Sequence, residues 1–116
     1  MKDEMIKLMS DHPDKFNEFG QFVIGTCINY SERHDVLELI NQGDYDTASN
    51  ITLMSDGLSS VVPHQFVMLM KFNSEGLTDD GVESTIRATA NLIGDFTSTE
   101  QLEKINNKLQ ELLTDD

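Results

Sequence analysis

Apolar residues recur along this chain at intervals of three and four positions, the spacing that places them on one face of an α-helix. The clearest stripe lies near the C-terminus, and its members are Leu102, Ile105, Leu109 and Leu112. Thr97 and Glu100 precede it with the spacing of a capping box, in which each side chain bonds the other residue's backbone N–H. The pattern therefore predicts a C-terminal helix that opens at Thr97.

A second stripe runs through the first quarter of the chain and predicts a buried helix that starts near Pro13. Its apolar members are Phe16, Phe19, Val23 and Cys27. Gly20 and Gly25 interrupt this segment, and each glycine costs a helix about 1 kcal/mol relative to alanine. A strand over residues 21–30 is the alternative, because the segment is rich in β-branched and aromatic residues.

Glycines and capping residues divide the middle of the chain into further short helices. Gly43 is predicted to end one helix, and Asp44 to cap the next. Residues 61–72 form the most apolar segment, which predicts a buried helix starting near Pro63. Because nearly every position in this segment is hydrophobic, a buried strand near residues 65–72 is its alternative.

Together these segments predict an all-α fold, a compact single-domain bundle of about five to six short helices over residues 1–116. The alternative fold is α+β, with strands near 21–30 and 65–72. A length of 116 residues is typical of one domain, and a hydrophobic content of 38% is enough for one modest core.

The net charge of the chain disfavours some classes of binding partner and favours others. The chain has 21 acidic residues and 8 basic ones, which gives a net charge of −13. Direct binding to nucleic acid is disfavoured, because phosphate contacts need Lys and Arg. An anionic membrane surface is disfavoured for the same reason. The partner that this charge favours is a basic protein surface.

The acidic residues are concentrated in the middle of the chain, where Lys71 is the only base between Asp35 and Ile86. We call the nine acids of this segment the central acidic block. They are the candidate partner-binding residues: Asp35, Glu38, Asp44, Asp46, Asp56, Glu75, Asp79, Asp80 and Glu83. Capping alone accounts for Asp44 and for Asp79 or Asp80, because acids at helix starts complement the helix dipole.

The residues that would indicate an enzyme are missing from the sequence. It contains neither a glycine-rich phosphate loop nor a nucleophile elbow, and Cys27 has no neighbouring base. Acids and a histidine cluster at residues 11–18, and His34 lies one turn from Glu38. In each group only one pair lies a helical turn apart, Asp14 with Glu18 and His34 with Glu38, and a pair supplies too few ligands for a stable metal site. We therefore expect a non-enzymatic protein without metal or cofactor, and a single free cysteine suits a cytoplasmic protein.

Two functional hypotheses follow from these patterns. In the first, the protein is an acidic binding module that docks on the basic surface of a nucleic-acid-processing or defence protein. In charge and size it resembles small acidic inhibitors of nucleases and of bacterial defence complexes, which present carboxylates in place of phosphates. In the second, it is a homo-oligomeric structural or assembly protein. Its candidate self-association surface is the C-terminal stripe of Leu102, Ile105, Leu109 and Leu112.

Overall fold

Seven α-helices, and no β-strand, make up the part of the chain that the computed structural model describes. That part comprises residues 1–27, 30–54, 61–76 and 80–114, with the side chains of 30–34 and 54 excepted. The helices are α1 (Lys2–Asp11), α2 (Pro13–Cys27), α3 (Tyr30–Asn41), α4 (Tyr45–Met54), α5 (Val61–Ser74), α6 (Asp80–Phe96) and α7 (Thr99–Thr114).

The all-α prediction is confirmed in these residues, but the predicted number of five to six helices is too low. The first two helices are separate because Pro13 disfavours a helical conformation at the residue before it. His12 accordingly has φ −141° and ψ 73°, and the chain changes direction there. Pro13 itself begins α2, where its missing N–H removes no helical hydrogen bond.

The alternative with two strands is wrong in the described residues. Residues 65–72 lie inside α5, and residues 21–27 lie inside α2, while 28 and 29 are outside the described residues. The apolar character of residues 61–72 reflects the central position of α5. This helix packs against α2, α4 and α6, so it is covered on several sides.

Two groups of four helices share the pair α2 and α5. One group consists of α1, α2, α5 and α6, and the other of α2, α3, α4 and α5. α7 packs across α2 and α1. Side chains from all seven helices enter one hydrophobic core, which explains how short helices form a single packed unit.

Three fully buried phenylalanines lie where α2 faces α5. The rings of Phe19 and Phe66 meet edge to face, with centroids 5.6 Å apart, and Phe16 lies 6.4 Å from each of them. Edge-to-face pairs add about 0.5–1.5 kcal/mol to the energy of burial. The aromatic cluster therefore anchors α2 against α5.

Gly20 allows α2 to approach α5 closely. A Cβ atom at this position would lie 2.5 Å from Sδ and 2.9 Å from Cγ of Met70, both inside van der Waals contact. Met70 is itself buried, so its side chain has little room to move. The glycine that weakened the helix prediction is thus explained by packing.

We expect Gly20→Ala to destabilise the fold by about 1–2 kcal/mol, because the steric overlap outweighs the gain in helix propensity. Gly94→Ala is the matched control, since a Cβ there meets nothing within 4 Å. That variant should be more stable by about 0.5–1 kcal/mol. Urea denaturation followed by circular dichroism measures both, and equal stabilisation by the two alanines would contradict the close approach.

The capping box of α7 is displaced by one residue from its predicted position. Ser98 and Gln101 form it: the Gln101 N–H donates to Ser98 Oγ over 3.1 Å, and the Ser98 N–H donates to Gln101 Oε1 over 2.9 Å. The predicted cap, Thr97, instead donates its hydroxyl to the carbonyl of Ile93 in α6. The prediction of Thr97 with Glu100 is therefore corrected.

Polar contacts set α7 antiparallel to α2. Near the start of α7, Gln101 Nε2 donates to the carbonyl of Thr26 over 3.1 Å. Near its end, Lys15 Nζ donates to the carbonyl of Leu112 over 3.4 Å. Ile105, Leu109 and Leu112 lie in the hydrophobic core. The C-terminal stripe therefore closes the core of its own chain.

Candidate functional site

The described members of the central acidic block are distributed over three helices and two turns. Asp35 and Glu38 lie on α3, Asp44 precedes α4, Asp46 lies in its first turn, Glu75 follows α5, and Asp80 and Glu83 lie in the first turn of α6. Asp56 and Asp79 lie outside the described residues. The side chains of the described members are at the surface: Glu83 is partly exposed and the other six are exposed.

Four helix termini meet at one end of the bundle, which we call the acidic end. Asn73 Nδ2 donates to the carbonyl of Pro13 over 2.8 Å, which joins the end of α5 to the start of α2. The contact between Asp46 and Lys71 joins the start of α4 to the end of α5. α3 ends immediately before Asp44. The acids at this end are Asp14, Asp44, Asp46 and Glu75.

Lys71, the only base of the central segment, is engaged by the acids around it. Its Nζ lies 2.8 Å from Asp46 Oδ1. The hydrogen bond from Lys71 to Asp46 and the charge of Asp46 raise the pKa of Lys71 above its ordinary value, and the charge of Glu75 adds to the effect. The positive charge is thereby shared between two acids, and the acidic end keeps a surplus of negative charge.

The turn between α3 and α4 fixes the position of Asp44. Gly43 has φ +80°, a conformation that favours glycine, and its N–H donates to the carbonyl of Ile40 over 3.0 Å. The Asp44 N–H donates to the carbonyl of Leu39 over 2.9 Å, which completes a Schellman motif. Asp44 Oδ1 then accepts from the N–H of Thr47 over 3.2 Å. The predictions that Gly43 ends a helix and that Asp44 caps the next are confirmed.

A groove of about 520 Å³ opens at the acidic end between α2, α3, α4 and α5. Its lining includes buried Ile40 and Met70 and half-buried Tyr45. Polar side chains complete the lining: Asp14, Asn17, Asn41, Gln42, Asn73 and Ser74. We call it the polar groove. Its walls come from segments far apart in sequence, which is why the sequence pattern did not reveal it.

Other members of the block lie away from this groove. Arg87 Nη2 is 3.1 Å from Glu83 Oε1, and Arg87 Nη1 is 3.4 Å from Asp3 Oδ1, so Glu83 faces α1. Asp35 lies about 12 Å along α3 from the Gly43 turn, at 1.5 Å per residue. The structure thus brings Asp44, Asp46 and Glu75 together and directs Glu83 elsewhere.

The candidate self-association stripe is largely inaccessible to a second chain. Ile105 and Leu109 are fully buried, and Leu112 is 3% exposed. Leu102 is partly buried and lines a second, mainly apolar groove of about 440 Å³ together with Ala90 and Gly94. A surface for self-association on α7 would therefore involve Leu102 rather than the other three residues.

A serine–histidine pair that the sequence pattern did not reveal lies between α4 and α5. His64 Nδ1 is 3.4 Å from Ser49 Oγ and 3.2 Å from Thr52 Oγ1. The Thr52 hydroxyl donates to the carbonyls of Ala48 and Ser49, so His64 Nδ1 is assigned as the donor to Thr52 Oγ1. A protonated Nδ1 is no base for Ser49, and the pair has a structural role in joining the two helices.

Cys27 lies at the end of α2 and is partly buried. Desolvation raises the pKa of its thiol from 9.0 to about 11. Because the thiolate is the nucleophile, this shift suppresses reactivity near neutral pH. The environment matches the sequence-based interpretation of Cys27 as a packed side chain.

We expect Cys27 of the folded protein to react with a thiol reagent at pH 8 about ten- to hundredfold more slowly than in urea. The pKa of about 11 reduces the thiolate fraction roughly a hundredfold relative to a pKa of 9.0. The greater nucleophilicity of the more basic thiolate offsets up to about tenfold. Stopped-flow reaction with a disulfide reagent measures the ratio, and equal rates would contradict the desolvated environment.

No helix among the described residues combines the length and apolar character needed to cross a membrane. Over the same residues, the His, Cys, Asp and Glu side chains nowhere form a group of three or more able to hold a metal ion. Comparison of the chain with protein-family models, curated proteins and solved structures gave no match.

Proposed function

We propose that this protein is a non-enzymatic binding module whose acidic end docks on a basic surface of another protein. The observation that supports this most directly is the environment of Lys71. The central segment contains one base against nine acids, and that base is held by Asp46 at 2.8 Å. The remaining acids of the segment have no second base within it to offset their charge.

Two of the ion pairs among the described residues join helices through bases from outside the segment. Lys108 lies 3.5 Å from Glu18 on α2, and Arg87 joins α6 to α1 through Asp3. Asp14, at the mouth of the polar groove, makes no ion pair with any residue that the structure describes. Unpaired carboxylates repel one another and do not stabilise the fold, and this surplus is the charge that a basic partner would neutralise.

Electrostatic complementarity raises the association rate of such an interface and its selectivity among partners. A negative surface steers a positive partner during diffusional encounter and repels other acidic proteins. A surface that binds nucleic acid is one source of concentrated positive charge, because it is built to neutralise phosphates. We therefore propose a cytoplasmic nucleic-acid-processing or defence protein as the partner, with the carboxylates of the acidic end occupying phosphate positions.

Affinity capture from an extract of the native host, followed by a salt gradient, tests this proposal. We expect the protein to retain a partner with a basic surface and to release it steeply as salt rises. With the purified partner, the affinity should fall at least about tenfold between about 50 mM and about 500 mM salt, since screening shortens the reach of charge. Retention of the partner that does not change with salt concentration would overturn the proposal.

A further inference from the structure

We infer that the polar groove at the acidic end binds an arginine side chain of the basic partner. The inference rests on the proposed function and names the chemical group that the site recognises. Four features of the groove carry it: its mixed polar and apolar lining, its aromatic wall, the hydrogen-bond acceptors on its rim, and its negative surroundings.

The lining suits a side chain with an apolar stem and a flat polar head. Ile40 and Met70 are almost fully buried and offer a ligand little surface, so exposed Pro13 and half-buried Tyr45 supply the apolar contacts for the methylene groups of a ligand. Half-buried Tyr45 supplies an aromatic ring at the wall. A guanidinium group stacks favourably on such a ring, with about 0.5–1 kcal/mol gained at exposed sites.

Hydrogen bonds within the protein leave two lining side chains, Ser74 and Asn73, with the capacity to accept from a ligand. The Ser74 hydroxyl donates to the carbonyl of Lys71 over 2.6 Å, so its remaining capacity is to accept. The Asn73 amide nitrogen donates to the carbonyl of Pro13, which fixes the orientation of the amide and leaves its oxygen to accept. With the exposed carboxylate of Asp14, these groups form a rim of acceptors for a ligand rich in N–H donors.

The surrounding charge selects a cation over a neutral donor. Asp44, Asp46 and Glu75 lie at the same end of the bundle, and Lys71 is engaged by Asp46. α3 and α5 end at this groove and α2 and α4 begin there, so the partial charges of the four helix termini offset one another. The negative potential that a cation meets in the groove therefore comes from the carboxylates.

Arginine fits these features better than lysine does. Its planar guanidinium offers five N–H donors in a fixed arrangement and stacks on aromatic rings, whereas the ammonium of lysine is a compact and strongly hydrated charge. The wall formed by Tyr45 and the separated acceptors of Asp14, Asn73 and Ser74 favour the planar group. The groove thus distinguishes between the two basic side chains that a nucleic-acid-binding surface provides.

Titration with three small probes, followed by ¹H–¹⁵N NMR, tests this inference. The probes are the N-acetyl amides of arginine, lysine and citrulline, and citrulline has nearly the shape of arginine without its charge. We expect the arginine probe to shift the signals of Asn17, Asn73 and Tyr45, and to bind at least about threefold more tightly than the other two. Equal binding of arginine and lysine, or shifts spread evenly over the surface, would overturn the inference.

Two charge reversals provide matched variants. Asp14→Lys should weaken binding of the arginine probe at least about fivefold, because it replaces a rim acceptor with a positive charge. Asp95→Lys makes the same change in net charge at the end of α6, beside the start of α7, where Gln101 contacts Thr26 about 18 Å along α2 from Asp14. It should change binding less than twofold. Both positions are exposed, so both variants are expected to fold. Equal losses of affinity in the two variants would show that the probe responds to net charge alone and would overturn the inference that it binds in the groove.

The proposed function is tested separately, by the salt dependence of partner capture. If the arginine probe does not bind in the groove but partner capture still depends on salt, the inference about the groove is wrong. The proposal that the protein is an acidic binding module is then still supported. If capture is indifferent to salt, the proposed function fails, and the inference that rests on it fails as well. Capture weakened by Asp14→Lys but not by Asp95→Lys supports both.

Discussion

Leu109→Asp is expected to unfold the protein, because it places a carboxylate at a fully buried position of the core. Burial of an unpaired charge costs at least about 4 kcal/mol, a large share of the roughly 5–15 kcal/mol that stabilises a typical domain. Circular dichroism should show loss of helix, or a urea midpoint shifted far below that of the natural protein. The result distinguishes the observed role of the C-terminal stripe from self-association, in which the variant would dissociate but stay folded.

Leu53→Asp is the matched control for this prediction. Leu53 is 67% exposed on α4, so the same substitution there buries no charge and should change stability by about 0.5 kcal/mol or less. Light scattering of the natural protein and of both variants completes the test. A folded, helical Leu109→Asp protein of reduced mass would contradict the assignment of Leu109 to the core of its own chain.

The start of α7 shows where sequence pattern stops being sufficient. Residues 97–100 and residues 98–101 both have the spacing of a capping box, so local sequence leaves two starting points one residue apart. The choice is made by contacts outside α7. Gln101 bonds the carbonyl of Thr26 on α2, and Thr97 completes the end of α6. The stripe itself was predictable, because burial of Ile105 and Leu109 follows from helical periodicity alone.

The interior of α2 shows a related limit. Gly20 and Gly25 weakened the helix prediction on propensity, yet both lie within α2. At Gly20 the reason is the approach of Met70 from another helix, a contact between residues 50 positions apart. Propensity describes a helix in isolation, whereas here tertiary packing determines which residue the helix can hold.

The acidic residues of the candidate site could be identified from the sequence, but which of them lie close together in the fold could not. The central segment and its single base could be counted directly, and the caps at Gly43 and Asp44 followed from local rules. The polar groove could not be predicted, because its walls come from α2, the turn between α3 and α4, and the end of α5. Its existence depends on the crossing of these helices, which periodicity does not specify.

Charge reversal at the acidic end is expected to weaken partner binding at least about a hundredfold at about 0.1 M salt. The variant combines Asp14→Lys, Asp46→Lys and Glu75→Lys, which makes three positions of the acidic end repel a basic surface instead of attracting it. Asp44 is left unchanged because it caps α4 through the N–H of Thr47, and its loss would mix a folding defect with a binding defect. Titration calorimetry against the captured partner measures the change.

The matched control reverses three acids at the opposite end of the bundle, through Asp95→Lys, Glu100→Lys and Glu103→Lys. Gln101 of α7 contacts the end of α2 at Thr26, whereas the acidic end lies where α2 begins, so the two sets of positions are separated by the length of α2. Three reversals raise the net charge by six in each variant, from −13 to −7. If net charge alone governs binding, both variants lose affinity equally and the assignment of the acidic end is wrong. If position governs it, the control retains affinity to within about threefold, because charges beyond about 10 Å are largely screened at 0.1 M salt.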